Sequence, residues 1–221
     1  MTGQENSERA DSGSESGIES SPGSSPGSSP GSSNIAPDRS IVLVGLMGAG
    51  KTCIGKRLAH KLRMPFVDAD AEIETAANCS IEEIFDRFGE QAFRDGERKV
   101  IARLLEDTPR IVATGGGAFV NPETRKNVQE NGISVWLKAD LDVLLQRVSR
   151  RGNRPLLKTG NKRQILERLI AERYPSYAEA DLTVETGDES PDRTVLKVLG
   201  ALADHAGSPP AGSPPAGSDA E

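Results

Sequence analysis

The sequence predicts an α/β fold of three layers, α/β/α, with a five-stranded parallel sheet at its centre. Three observations carry this. Short β-branched runs alternate with stretches whose apolar residues recur every three or four positions. Several of those runs lead straight into glycines or carboxylates, and all eight aromatic residues fall within residues 38–205. Parallel strands need long crossover connections, which helices supply, so alternating strand and helix implies a sheet covered on both faces.

The first strand is IVLVG after Ser40, apolar without alternation, as suits a strand buried on both sides. Ile54, Leu58 and Leu62 then mark one face of a helix over 51–62, which Pro65 stops. PFVDAD gives a second strand ending in two carboxylates, Asp68 and Asp70. Ser80 with Glu83 forms a capping box for IEEIFDRF, and the helical pattern resumes from Glu90 to about Leu105. RIVATGGG is a third strand running into Gly115, Gly116 and Gly117, and SVWL from Ser134 is a fourth. Leu141, Leu144, Leu145 and Val148 follow as a helix, LTVET near Leu182 closes the strands, and Val195, Leu199 and Leu202 mark a last helix.

Composition divides the chain into three. Residues 1–37 carry five acids and one base, and residues 206–221 carry two acids and no base. The SPGS repeats from Ser21 and GSPPA repeats from Gly207 are too short and polar to bury a core, so both ends are expected to be disordered tails around a domain at 38–205. That middle segment has 26 bases and 26 acids, which argues against a nucleic-acid partner. Its longest uncharged runs, Ser40–Gly50 and Ile111–Pro122, are too short to cross a bilayer, so no membrane partner is expected. The first residues lack the order of a signal peptide, and cytoplasm is the expected location. Cys53 and Cys79 show no metal-ligand spacing, and a monomer is expected.

Gly45-Leu46-Met47-Gly48-Ala49-Gly50-Lys51-Thr52 matches G-x-x-x-x-G-K-[ST] in full, between a strand and a helix as the mechanism requires. Backbone N–H groups of such a loop turn inward around phosphates, and the helix start adds its positive dipole end. Lys51 can reach the outer phosphate oxygens, and the Thr52 hydroxyl can ligate Mg²⁺. No NKxD loop specific for guanine is present, since Asn161-Lys162-Arg163-Gln164 ends in an amide, so ATP is the expected co-substrate.

Ligands of parallel sheets sit beyond the carboxyl ends of the strands. There the chain carries Asp68 and Asp70, spaced to point the same way from the second strand, the three glycines after the third, Phe93-Arg94 on the long helix, and Arg173 in ERYPSY. In the order GLMGAGKT, DAD, FR, TGGG, RPLL and ERYPSY these motifs resemble the shikimate kinase family, over essentially all of residues 40–200.

The resemblance implies a P-loop fold like that of nucleoside monophosphate kinases, with a mobile lid, here about 149–162. It also implies transfer of the ATP γ-phosphoryl group to the 3-hydroxyl of shikimate, in the biosynthesis of chorismate and aromatic amino acids. Lys51, Asp70 and Arg154 would then be catalytic, with Arg154 closing on the phosphates from the lid. ATP would be held by Gly48, Ala49, Gly50, Lys51, Thr52, Cys53, Arg147 and Arg154, with Arg147 against the adenine. Asp70, Arg94, Gly115, Gly116, Gly117 and Arg173 would hold the acid, and Asp68 would hold a water on Mg²⁺ beside Thr52. Forked guanidinium groups suit a planar carboxylate, in keeping with these roles. Ala69 and Cys53 are small departures from the family pattern. The alternatives are another small-metabolite kinase, such as a gluconate kinase, or an ATP-binding regulatory module without catalysis.

Overall fold

The protein is seen in a computed structural model that describes residues 38–150 and 161–207. The expected tails at 1–37 and beyond 207, and Arg154 with most of the expected lid, lie outside the described residues.

Five parallel strands form one sheet, as the sequence predicts, and their order is β2-β3-β1-β4-β5. They are β1 (Ser40–Val44), β2 (Phe66–Asp68), β3 (Ile111–Ala113), β4 (Gly132–Ala139) and β5 (Leu182–Thr186). The uninterrupted apolar run puts β1 in the middle. Ile41 to Val44 are wholly buried, and β1 pairs with β3 through Ile41 and Ile111 and with β4 through Ser40 and Gly132. After β1 the chain crosses to one edge of the sheet and later to the other. The carboxyl end of β1 is therefore the switch point at which such sheets open a crevice.

The helices are α1 (Lys51–Leu62), α2 (Ala69–Ala77), α3 (Ile81–Glu106), α4 (Pro122–Asn131), α5 (Leu141–Arg150), α6 (Lys162–Tyr177) and α7 (Pro191–Gly207). α1 occupies the span its stripe predicts and buries Ile54, Leu58 and Ala59. The Ser80–Glu83 capping box forms in both directions and opens α3. Gly89, at φ 78°, bends α3 into two rods, which accounts for the interruption in its apolar pattern.

Several boundaries differ from expectation. β2 stops at Asp68, because the Asp68 carboxylate caps α2 by accepting the Asp70 N–H at 3.2 Å. Asp70 therefore lies on the first turn of a helix, and the two aspartates do not share a strand face. β4 begins two residues before Ser134. Arg173 stands inside α6, one turn before its end. α7 runs to Gly207, past the boundary drawn at residue 205, and Ser149, Arg150 and Lys162 belong to α5 and α6, within the span assigned to the lid.

Candidate active site

The glycine loop joins β1 to α1 at the centre of the sheet. Gly50, the residue before α1, has φ 99°, a left-handed turn that aims the first N–H groups of the helix back into the loop. α5 lies hard against the same loop: a Cβ on Gly48 would meet Val148 Cγ1 at 3.0 Å and the Leu144 carbonyl at 3.3 Å. Lys51 folds over the loop and donates to the carbonyls of Gly45 at 2.7 Å and Leu46 at 3.1 Å. The Thr52 hydroxyl donates to Asp68 Oδ2 at 2.9 Å, so β2 and α1 bring an alcohol and a carboxylate together at the mouth of the loop. The oxygens of such a pair suit Mg²⁺ and its water shell.

A cleft of about 350 Å³ opens beside the loop. The loop from Gly48 to Cys53, Asp68, Asp70, Thr114, Gly116 and Arg147 line it, which gathers most of the predicted nucleotide-side residues at one place. Thr114 is buried and doubly tied to the Leu43 carbonyl, through its N–H at 3.2 Å and its hydroxyl at 3.0 Å. Cys53 Sγ accepts from Arg57 Nη1 at 2.9 Å. Arg147 reaches from α5 across the cleft floor and donates to the carbonyls of Gly48 and Ala49, each at 3.3 Å, and to Gly187 beyond β5. The loop from Thr186 to Glu189 and Pro191 completes the far end of the cleft. Sequence reasoning missed that loop, which contains no motif and is recognised only by its place after β5.

A second hollow adjoins the first, lined by Glu90, Arg94, Gly117, Asn121, Glu172 and Arg173 among others. Arg94 donates to Glu97 Oε2 at 2.7 Å and to Glu90 Oε1 at 3.3 Å. Glu97 is nearly inaccessible, and its Oε1 has no hydrogen-bond partner among the described residues. The two members of the pair respond differently. Burial alone would lower the Arg94 pKa, but attraction and hydrogen bonding from Glu97 and Glu90 leave it above its usual value. Burial dominates at Glu97 and raises its pKa despite Arg94, with help from neighbouring Asp70. The difference follows depth, since the Glu97 side chain is 3% exposed and that of Arg94 is 24%. Glu97 went unnoticed in the sequence because a glutamate three residues after an arginine looks like an ordinary helix-surface pair.

The glycine run after β3 lies between these groups. A Cβ on Gly115 would stand 2.8 Å from both Asp70 Oδ1 and Glu97 Oε1, and one on Gly117 would stand 2.6 Å from Arg94 Nη1. On Gly116 it would lie 3.4 Å from Arg173 Nη1 and 3.6 Å from the Met47 nitrogen of the glycine loop. The carboxylate Asp70, the arginines Arg94 and Arg173 and the phosphate loop thus converge on three residues without side chains. Of the predicted site residues, only Arg154 lies outside the described residues.

A phosphate loop at the switch point of a parallel sheet, with a hollow lined by two arginines one glycine away, marks the class of P-loop kinases. Residues 47–203 match the family model for shikimate kinase. The shikimate kinase of Paramagnetospirillum magneticum is 59% identical over 164 residues, which cover 74% of this chain and 84% of that one. The structure of shikimate kinase from Acinetobacter baumannii in complex with shikimate matches with a TM-score of 0.74 at 37% identity, covering 78% of this chain and 97% of that one. A gluconokinase from Sinorhizobium meliloti shares the fold alone, at 18% identity and a TM-score of 0.55, over 76% of this chain and 94% of that one. The chain belongs to the shikimate kinase family.

Proposed function

We propose that this protein transfers the γ-phosphoryl group of ATP to the 3-hydroxyl of shikimate, giving shikimate 3-phosphate and ADP. The observation that carries the reading is the position of Gly116, where a Cβ would stand 3.4 Å from Arg173 Nη1 and 3.6 Å from the Met47 nitrogen of the phosphate loop. A carboxylate held by Arg173 and Arg94 leaves the hydroxyls of its ring beside Asp70, on the side facing the loop.

In this reading the loop N–H groups and Lys51 surround the β- and γ-phosphates, and Lys51 gives up its loop carbonyls to do so. Thr52, directly, and Asp68, through a water, would hold Mg²⁺, which would supply positive charge against the phosphate oxygens. Arg147 underlies the base of ATP, and the Thr186–Glu189 loop bounds it. Asp70 orients the attacking hydroxyl and receives its proton as the new O–P bond forms and the bond to ADP breaks. Arg154 is assigned to the phosphates on its RPLL motif alone. The protein supplies alignment and fixed charge, the two contributions that phosphoryl transfer needs most.

The test is release of ADP by the purified full chain with shikimate, gluconate or nucleoside monophosphates as acceptor. Turnover is expected with shikimate. Turnover with gluconate alone, or with none of them despite tight ATP binding, would overturn the proposal.

A further inference from the structure

The ERYPSY motif contributes a second polar group that the phosphoryl-transfer scheme leaves unused. Tyr177 stands four residues after Arg173 on α6, one helical turn further on and on the same face. Its ring is among the largest fully buried side chains, 1% exposed, packed between Trp136 at 5.9 Å and Tyr174 at 6.1 Å between ring centroids. A phenylalanine would fill that space equally well. What the hydroxyl adds is a bond to the carbonyl of Gly116, to which it donates, and an interaction with the Arg173 side chain, which acts on the same oxygen.

The three groups form a closed set. The Arg173 guanidinium lies along Gly116, near 3.4 Å from where its Cβ would be. The Gly116 carbonyl is turned inward to Tyr177, so the peptide it belongs to presents its other edge, the N–H of Gly117, away from that bond. Burial pushes the Tyr177 hydroxyl up to about 12, partly countered by Arg173, so it remains a donor at any physiological pH. A single buried O–H therefore joins the arginine expected to grip the substrate to the glycine run expected to meet the same substrate.

We infer that Tyr177 is a positioning residue for acid binding: its hydroxyl fixes the Arg173 fork and the Gly116–Gly117 peptide in one geometry, ready for a planar carboxylate. It touches neither substrate. Preorganisation of this kind acts on affinity, because a donor already held in place loses less freedom on binding. The inference rests on the kinase reading above.

The decisive variant is Tyr177→Phe in the full chain, with shikimate affinity read by titration calorimetry and turnover by ADP release. Losing a hydrogen bond that involves a charged group is expected to weaken shikimate binding about tenfold or more. The KM for ATP and kcat at saturating shikimate should stay within about twofold. In a double-mutant cycle with Arg173→Lys, the Phe substitution should add little once the guanidinium fork is gone. Unchanged shikimate affinity, equal weakening of ATP and shikimate, full additivity with Arg173→Lys, or failure of the Phe protein to fold would each overturn the inference. Wild-type turnover separates the two ideas: without it the kinase reading falls, whereas turnover with an unaltered Tyr177→Phe affinity removes only the role of Tyr177.

Discussion

Gly117→Ala is the sharpest perturbation the site offers. The backbone at Gly117 has φ −103°, which alanine adopts freely, so the substitution carries no conformational penalty and slightly restricts the unfolded chain. The added methyl would, however, meet Arg94 Nη1 at 2.6 Å and Nη2 at 2.7 Å, about 0.8 Å short of the 3.4 Å at which ordinary contact begins. Arg94 cannot simply retreat. Glu97 holds it at 2.7 Å and Glu90 at 3.3 Å, and Glu97 is itself locked in the core. The guanidinium must move by nearly an ångström, and a misplacement of that size in a positioning group costs on the order of 10²-fold. That corresponds to about 2.7 kcal/mol of transition-state stabilisation. Steady-state kinetics should show kcat/KM for shikimate falling by about two orders of magnitude, mostly through KM, with KM for ATP unchanged because Gly117 does not line the nucleotide cleft. Thermal unfolding should shift below the wild-type temperature, because moving the guanidinium stretches its 2.7 Å pair with buried Glu97. An unaltered shikimate KM would refute the placement of Arg94 in the acid pocket, and an equal rise for both substrates would refute the separation of the two hollows.

Three further predictions follow from other contacts. Arg147→Ala removes the side chain that spans Gly48, Ala49 and Gly187, and should raise KM for ATP tenfold or so while leaving shikimate affinity alone, as nucleotide and shikimate titrations can show. Gly55→Ala places a methyl 2.6 Å from Phe66 Cε2 and 3.2 Å from Leu43 Cδ1, an overpacking that should cost about 1–3 kcal/mol by denaturant unfolding. Glu97, whose pKa is raised by burial, contributes stability that is fully present below its unfolded value near 4.5 and is lost as pH rises through the folded value. Glu97→Gln should remove that dependence, so the melting temperature of the variant relative to wild type should climb between pH 4 and pH 7, and a constant difference would show that Glu97 titrates normally.

Much of the glycine-loop half of the candidate site was legible in the chain, because its signals are local. The run from Ser40 to Thr52 contains the strand, the glycines and the helix start in one contiguous stretch, and α1 begins and ends where its apolar stripe and Pro65 say it should. Asp70 was expected at the end of a strand, whereas it lines the cleft from the first turn of a helix. Nothing in PFVDAD reveals that Asp68 turns the chain into a helix after three strand residues, since a capping side chain and a strand-end carboxylate look alike in sequence. α4 escaped notice because PETRKNVQEN has too few apolar residues to show a stripe, burying only Thr124 and Val128. The second hollow and its surroundings were hardest to read. Arg94, Glu97, the glycine run and Arg173 come from three separated segments, and each is unremarkable alone. Arg94 and Arg173 were found by likeness to a family pattern, whereas Glu97 and the Thr186–Glu189 loop emerged only once burial and strand ends were known.

The thinness of the divide at Gly116 has a further consequence. In the proposed reading two chemically unlike ligands meet at Gly116, where Arg173 and the phosphate loop both lie within about 3.6 Å of the place a side chain would take, so main-chain atoms would set the distance between acceptor and donor. Any larger residue at 116 would act as a shim: both ligands could still bind, yet be held too far apart to react. Substitution at that one position should therefore yield a protein that captures the pair and leaves them intact.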